Sequence, residues 1–281
     1  MKPREFVLTG VPRAGTTLCC ELLGRADDTV ALIEPIPVHC LPLGHGEAVA
    51  EIRRFFEAER TRLLEAGTAA SQQVDGRGTD NFFDAERRES DGMRIRKASL
   101  ADIRIEKPLS ADFTLVIKHN AAFAALLAPL ATAIDCIAVV RNPLAVLASW
   151  NSVDLPVRSG RLPAGERLEP ALAACLDAEP DALERQLQLL NWLFGRFSQC
   201  LPAERILRYE DVVRSGGGVL ANASGIAFPI SSLSSRNASR LYDARACARY
   251  AERLRRDDGA WRKFYGNEDV SCVLETMRAG G

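Results

Sequence analysis

Residues 6–24 read FVLTGVPRAGTTLCCELLG, and the order of residue types in this stretch decides the architecture. FVLT is an unbroken apolar run, suited to a strand covered on both faces. Thr16 to Gly24 carries the apolar spacing of a helix. Between them, Gly10 and Gly15 permit a tight turn whose backbone N–H groups point inward. The helix start at Thr16 and Thr17 adds the positive end of its dipole, so the segment makes a site for a terminal phosphate. The glycine spacing is that of the ATP-binding loop G-x-x-x-x-G-K-[ST], but Thr16 stands where that loop needs lysine. The cation nearby, Arg13, sits inside the turn instead. Without the lysine a triphosphate fits poorly.

Working outward, apolar runs recur at Val30–Ile33, Phe113–Ile117, Ile134–Val140 and Arg205–Arg208, and read as further strands. Helical patterns fit Ala48–Glu65, Ala121–Leu130, Pro143–Asn151, Ala182–Cys200 and Arg240–Arg255. This alternation predicts one α/β domain over residues 1–281, a central parallel sheet flanked by helices, with ligands at the carboxyl ends of the strands. Two segments, 68–112 and 153–180, break the rhythm. The first is polar and without period, the second carries four prolines, and both are expected as mobile insertions on the side of the second substrate.

The composition excludes several classes. Apolar residues are 47% and charged residues 26% of the 281, the balance of a soluble globular protein. A net charge of −1 speaks against a general nucleic-acid binder. The beginning, MKPREFVLTG, offers no apolar stretch for a signal peptide, and no run is long enough to span a bilayer. Eight cysteines without a C-x-x-C pair suit reduced thiols in the cytoplasm. His39, Cys40 and His45 lack a second ligand pair, so no metal is expected.

A second motif follows the strand IDCIAVV as RNPLAVLASW. Asn142 suits a helix cap and Pro143 its first position, which fixes Arg141 at the strand's carboxyl end and puts Ser149 two turns into the helix. A third segment, ILRYEDVV, ends a strand at Tyr209.

GVPRAGTT resembles the phosphate loop of sulfotransferases that use 3′-phosphoadenosine 5′-phosphosulfate (PAPS), whose usual form is G-x-P-[RK]-[SA]-G-T-T. R-N-P with a serine eight residues after the arginine resembles that family's 3′-phosphate motif, and ILRYEDVV its R-Y-E-D-L segment. The resemblance implies a sulfotransferase fold with PAPS as co-substrate, 3′,5′-bisphosphate (PAP) as product, and no metal. It implies Pro12, Arg13, Ala14, Gly15, Thr16 and Thr17 around the 5′-phosphosulfate, Arg141 and Ser149 at the 3′-phosphate, and Tyr209 near the adenine. Ala145 departs from the aspartate frequent in the family. For the family's serine and basic residue of a loop near the C-terminus, which complete the 3′-phosphate site, SSLSSRNASR offers Ser235 and Arg236, with Arg240 as competitor, and the family's R-K-G triplet is not evident. Arg13 and Lys118 are expected to meet charge on the transferring group.

Two residues compete as the base that takes the acceptor's proton. Glu34 ends the second strand, with Pro35 keeping it extended, and resembles the glutamate of glycan, lipid and tyrosine sulfotransferases. His119 is similar to the histidine of the small-molecule branch but stands one position early, and register favours Glu34. The resemblance implies an acceptor hydroxyl on a glycan, a glycolipid or a natural product. A P-loop small-molecule or nucleotide kinase is the alternative.

Overall fold

The computed structural model describes residues 4–88 and 92–279. Its strands are β1 (Arg4–Gly10), β2 (Thr29–Ile33), β3 (Thr68–Gln73), β4 (Phe83–Arg88), β5 (Arg94–Arg96), β6 (Ser99–Arg104), β7 (Thr114–Lys118), β8 (Asp135–Val140) and β9 (Ile206–Arg208). Five of them form a wholly parallel sheet in the order β2-β7-β1-β8-β9. Phe6, Val7, Leu8, Val116, Ile117 and Val139 are fully buried, because helices cover both faces. The expected α/β sheet is present.

The helices are α1 (Thr16–Gly24), α2 (His45–Ala66), α3 (Ala121–Ala125), α4 (Leu127–Ala133), α5 (Pro143–Trp150), α6 (Pro163–Leu168), α7 (Pro170–Ala178), α8 (Ala182–Cys200), α9 (Tyr209–Arg214), α10 (Gly218–Ser224), α11 (Ala244–Arg256) and α12 (Asn267–Ala279). One helix expected over Ala121–Leu130 is broken at Leu126. Pro129 has no N–H to give the carbonyl of Ala125, and that oxygen accepts from Arg196 instead. The helix expected from Arg240 begins at Ala244, where Asp243 caps it through Ala246 N–H at 2.7 Å.

The turn between β1 and α1 lies hard against its neighbours. A Cβ at Gly10 would stand 2.3 Å from Val139 O, so only glycine lets the turn leave the sheet there. Gly15, at φ 87°, is the helix cap, and a Cβ on it would meet the Tyr209 ring at 2.5 Å. Trp150, fully buried, donates its indole N–H to Pro12 O at 2.8 Å and pins α5 to the turn.

The described residues of the two irregular segments hold short regular elements that the sequence did not signal. Residues 68–112 hold two antiparallel pairs, β3 with β6 and β4 with β5. In β6 only Ile103 is buried, so the sequence carries no alternation to announce it. Residues 153–180 form a 3₁₀ turn at Pro156–Ser159 and the short helices α6 and α7, with a proline at the start of each.

Candidate active site

Every strand of the sheet ends at the same rim and delivers one feature there. The turn follows β1, Glu34 follows β2, Lys118 closes β7, Arg141 follows β8 and Tyr209 follows β9. These features surround a cavity of about 460 Å³. Of the residues expected around the donor, Pro12, Arg13, Gly15, Thr16, Thr17, Arg141, Ser149, Tyr209 and Arg236 line it. Ala14 is fully buried and Ser235 is exposed; neither lines it. The Ser235 hydroxyl accepts from Asn237 N–H at 3.3 Å. Arg240 stands exposed and lines a neighbouring hollow with Tyr250.

At one end of the cavity the cations gather. Arg141 donates from Nε to Asn237 Oδ1 at 2.8 Å, from Nη1 to Arg13 O at 2.8 Å and from Nη2 to Arg236 O, with its guanidinium 4.8 Å over the Tyr209 ring. Tyr209 fixes the same C-terminal loop by accepting from Arg236 N–H at 2.9 Å. Behind them Glu210 accepts from Asn142 N–H, Asn237 Nδ2 and Tyr265 O–H.

Arg13, left-handed at φ 70°, turns its guanidinium to Ser149 Oγ at 3.2 Å and Asn81 Oδ1 at 3.2 Å, over the Phe83 ring at 4.8 Å. Burial, with Arg94, Arg141 and Arg236 close by, lowers its pKa to about 10. Arg13 therefore stands with Ser149 and the other guanidiniums, at the opposite pole from the Glu34 carboxylate.

That pole is simpler. Lys118 Nζ lies 2.5 Å from Glu34 Oε1. Its side chain is 2% exposed and that of Glu34 30%, so the ammonium is the more deeply buried of a pair that both line the cavity. The sheet holds the pair together, since Ile33 and Lys118 are in register and Glu34 N–H donates to Lys118 O at 2.8 Å. Glu34 itself adopts φ 50°, an unusual conformation for a residue with a side chain. Burial would raise its carboxyl, but Lys118, His119 and Arg96 outweigh that and hold it below the usual value.

His119 is buried between Ile36 and Phe123. Its Nε2 accepts from Ile36 N–H at 3.1 Å, which leaves the ring proton on Nδ1. Burial pushes its pKa down to about 4, with Glu34 opposing the shift and Lys118 adding to it. The unfolded chain takes up a proton on this ring near pH 6.5, whereas the folded one resists until about pH 4. Stability is thus complete above pH 6.5 and falls as the pH drops toward 4. Urea midpoints measured from pH 7 to 4.5 should show a shallower decline in His119→Asn than in the unmodified protein. Equal slopes would mean that the ring titrates freely in the fold.

Among the lining residues that had no sequence signal are Asn81, Phe82, Arg94, Arg96 and Tyr242. All lie in stretches that match no motif. No family model and no curated protein matches the chain. Solved structures similar to it include the sulfotransferase domain from the curacin biosynthetic pathway, at 14% identity over 100% of this chain and 99% of that one, with a TM-score of 0.40. The sulfotransferase domain of the Synechococcus PCC 7002 olefin synthase shows 13% identity over 99% and 95%, with a TM-score of 0.39. A sulfotransferase from Mycobacterium tuberculosis H37Rv shows 14% identity over 99% and 77%, with a TM-score of 0.33. At such identities the functional reading rests on the residues of the site.

Proposed function

We propose that this chain is a PAPS-dependent sulfotransferase that moves a sulfuryl group to an acceptor hydroxyl. The observation that carries the reading is the shared rim: an anion-binding turn, buried guanidiniums and a carboxylate–ammonium pair open into one cavity. The residues fit a bisphosphate nucleotide. Gly10 and Gly15 keep the turn free of side chains, and the partners of Arg13 and Arg141 are neutral oxygens, which leaves their charge for an anion. Gly15 to Thr17 and the start of α1 would hold the 5′-phosphosulfate, and Arg141, Ser149 and Arg236 the 3′-phosphate, with Tyr209 beside the adenine.

PAPS, when bound, supplies the sulfuryl group and leaves as PAP. Glu34, ionised at neutral pH because Lys118 stands beside it, takes the proton of the acceptor hydroxyl. Lys118 meets the charge that develops on the transferring oxygens. Arg13 was expected in that role as well; its place beside Ser149 favours the phosphate end. His119 offers no free lone pair at Nε2, which favours Glu34 as the base.

The acceptor end of the cavity is lined by Val38, Phe82, Ala121, Leu155, Val157 and Leu162. These walls favour a hydroxyl on an apolar body, as in a lipid or natural product, over a bare glycan. Phe82 and Leu155–Leu162 come from segments 68–112 and 153–180, which supports the role expected for those insertions within one domain. All eight cysteines are free, and no described helix is long and apolar enough to cross a membrane.

Two measurements test the reading. PAP should raise the unfolding temperature while Mg·ATP does not, and labelled sulfuryl should pass from PAPS to an apolar alcohol without added metal. Protection by Mg·ATP with no response to PAP would turn the assignment to a kinase.

A further inference from the structure

Segment 68–112 brings a cation to the donor end of the cavity from a stretch that matches no motif. Arg94, the first residue of β5, is buried and lines the cavity. Its guanidinium lies 5.6 Å from the centre of the Tyr242 ring and donates to Ser239 Oγ at 2.9 Å. Its backbone N–H donates to Ser152 O at 3.1 Å, which ties β5 to the end of α5 close to Ser149.

Tyr242 is the point on which this end converges. It lines the cavity with Ser149, Arg94 lies against its ring, and Arg141, Arg94 and Arg13 all act on its hydroxyl. Burial would raise its phenol, but the three guanidiniums outweigh burial and lower it. Three arginines from three separate segments, the turn, β5 and the end of β8, thus line one end of the cavity together with Tyr242. Guanidiniums hold a phosphate monoester by charge-assisted, bidentate hydrogen bonds, and this donor carries such a dianion at its 3′ position.

The geometry points to Arg94 and Tyr242 as part of the pocket for the donor's 3′-phosphate, beside Arg141 and Ser149. This rests on the donor assignment above. It makes segment 68–112 a donor element as well as an acceptor wall, and it puts an arginine from β5 where the family resemblance implies a basic residue nearer the C-terminus.

The test compares PAP with adenosine 5′-monophosphate, which lacks the 3′-phosphate, by calorimetry on the full chain. Arg94→Gln, which can still donate to Ser239, should weaken PAP about 10–100-fold and the monophosphate less than about threefold. Tyr242→Phe should weaken PAP about three- to tenfold and leave the monophosphate unchanged. Arg94→Lys, which keeps a cation, should hold part of the preference, and with Tyr242→Phe it carries the test if Arg94→Gln fails to fold. Losses equal for both nucleotides, or no loss for PAP, overturn the proposal. An unmodified protein that binds PAP no better than the monophosphate overturns the donor assignment itself, and that outcome is read before any variant is made.

Discussion

Glu34→Gln is expected to lower turnover by about 10²–10⁴, the usual worth of a general base. Glutamine keeps the shape of the side chain and an oxygen for Lys118 Nζ, now 2.5 Å away, but removes the basicity. Affinity for PAP should barely change, because the carboxylate bonds to Lys118 whereas Arg13 and Arg141 bond elsewhere. Loss of its negative charge should, if anything, tighten binding slightly. His119→Asn made in parallel should stay within a few-fold of normal turnover, since Nε2 is engaged by Ile36 N–H. Steady-state rates under saturating PAPS decide between them. A near-normal Glu34→Gln beside an inactive His119→Asn would make the histidine the base.

Arg141→Ala should weaken PAP by about 10–100-fold or more. A charge-assisted pair with a buried phosphate contributes about 1.5–3 kcal/mol, and each 1.4 kcal/mol is tenfold. The alanine also removes the donors that join Asn237 Oδ1, Arg13 O and Arg236 O, so the turn and the C-terminal loop lose their common tie. Calorimetry with an unchanged dissociation constant would sink the assignment of Arg141 to the 3′-phosphate.

The parts of the molecule legible in the sequence are those where local pattern and tertiary role coincide. β1, the turn and α1 form one continuous signal, and the apolar runs of β7 and β8 reflect burial on both faces. Arg141, Glu34 and Lys118 were readable because a strand's carboxyl end is fixed once the strand is recognised. Arg94 and Tyr242 were not, because their place depends on pairing between β4 and β5 and on a loop that returns from residue 242. Nothing local encodes such contacts. Pro129, by contrast, was in plain view, and the break at Leu126 follows from its missing N–H.

The two poles of the site are held by different kinds of structure. Glu34 and Lys118 hang from adjacent, hydrogen-bonded strands of the parallel sheet, β2 at its edge and β7 beside it. Arg13, Arg94 and Arg236 reach the cavity from a turn, a short outlying strand and an irregular loop. Strands packed in a core open only with the whole domain, whereas loops and small hairpins open locally at much lower cost. On the proposed function, mild heat or low denaturant is therefore expected to weaken nucleotide binding first, while the Glu34–Lys118 pair stays assembled. Inactivation should then begin as a loss of affinity that more nucleotide reverses, before the sheet gives way.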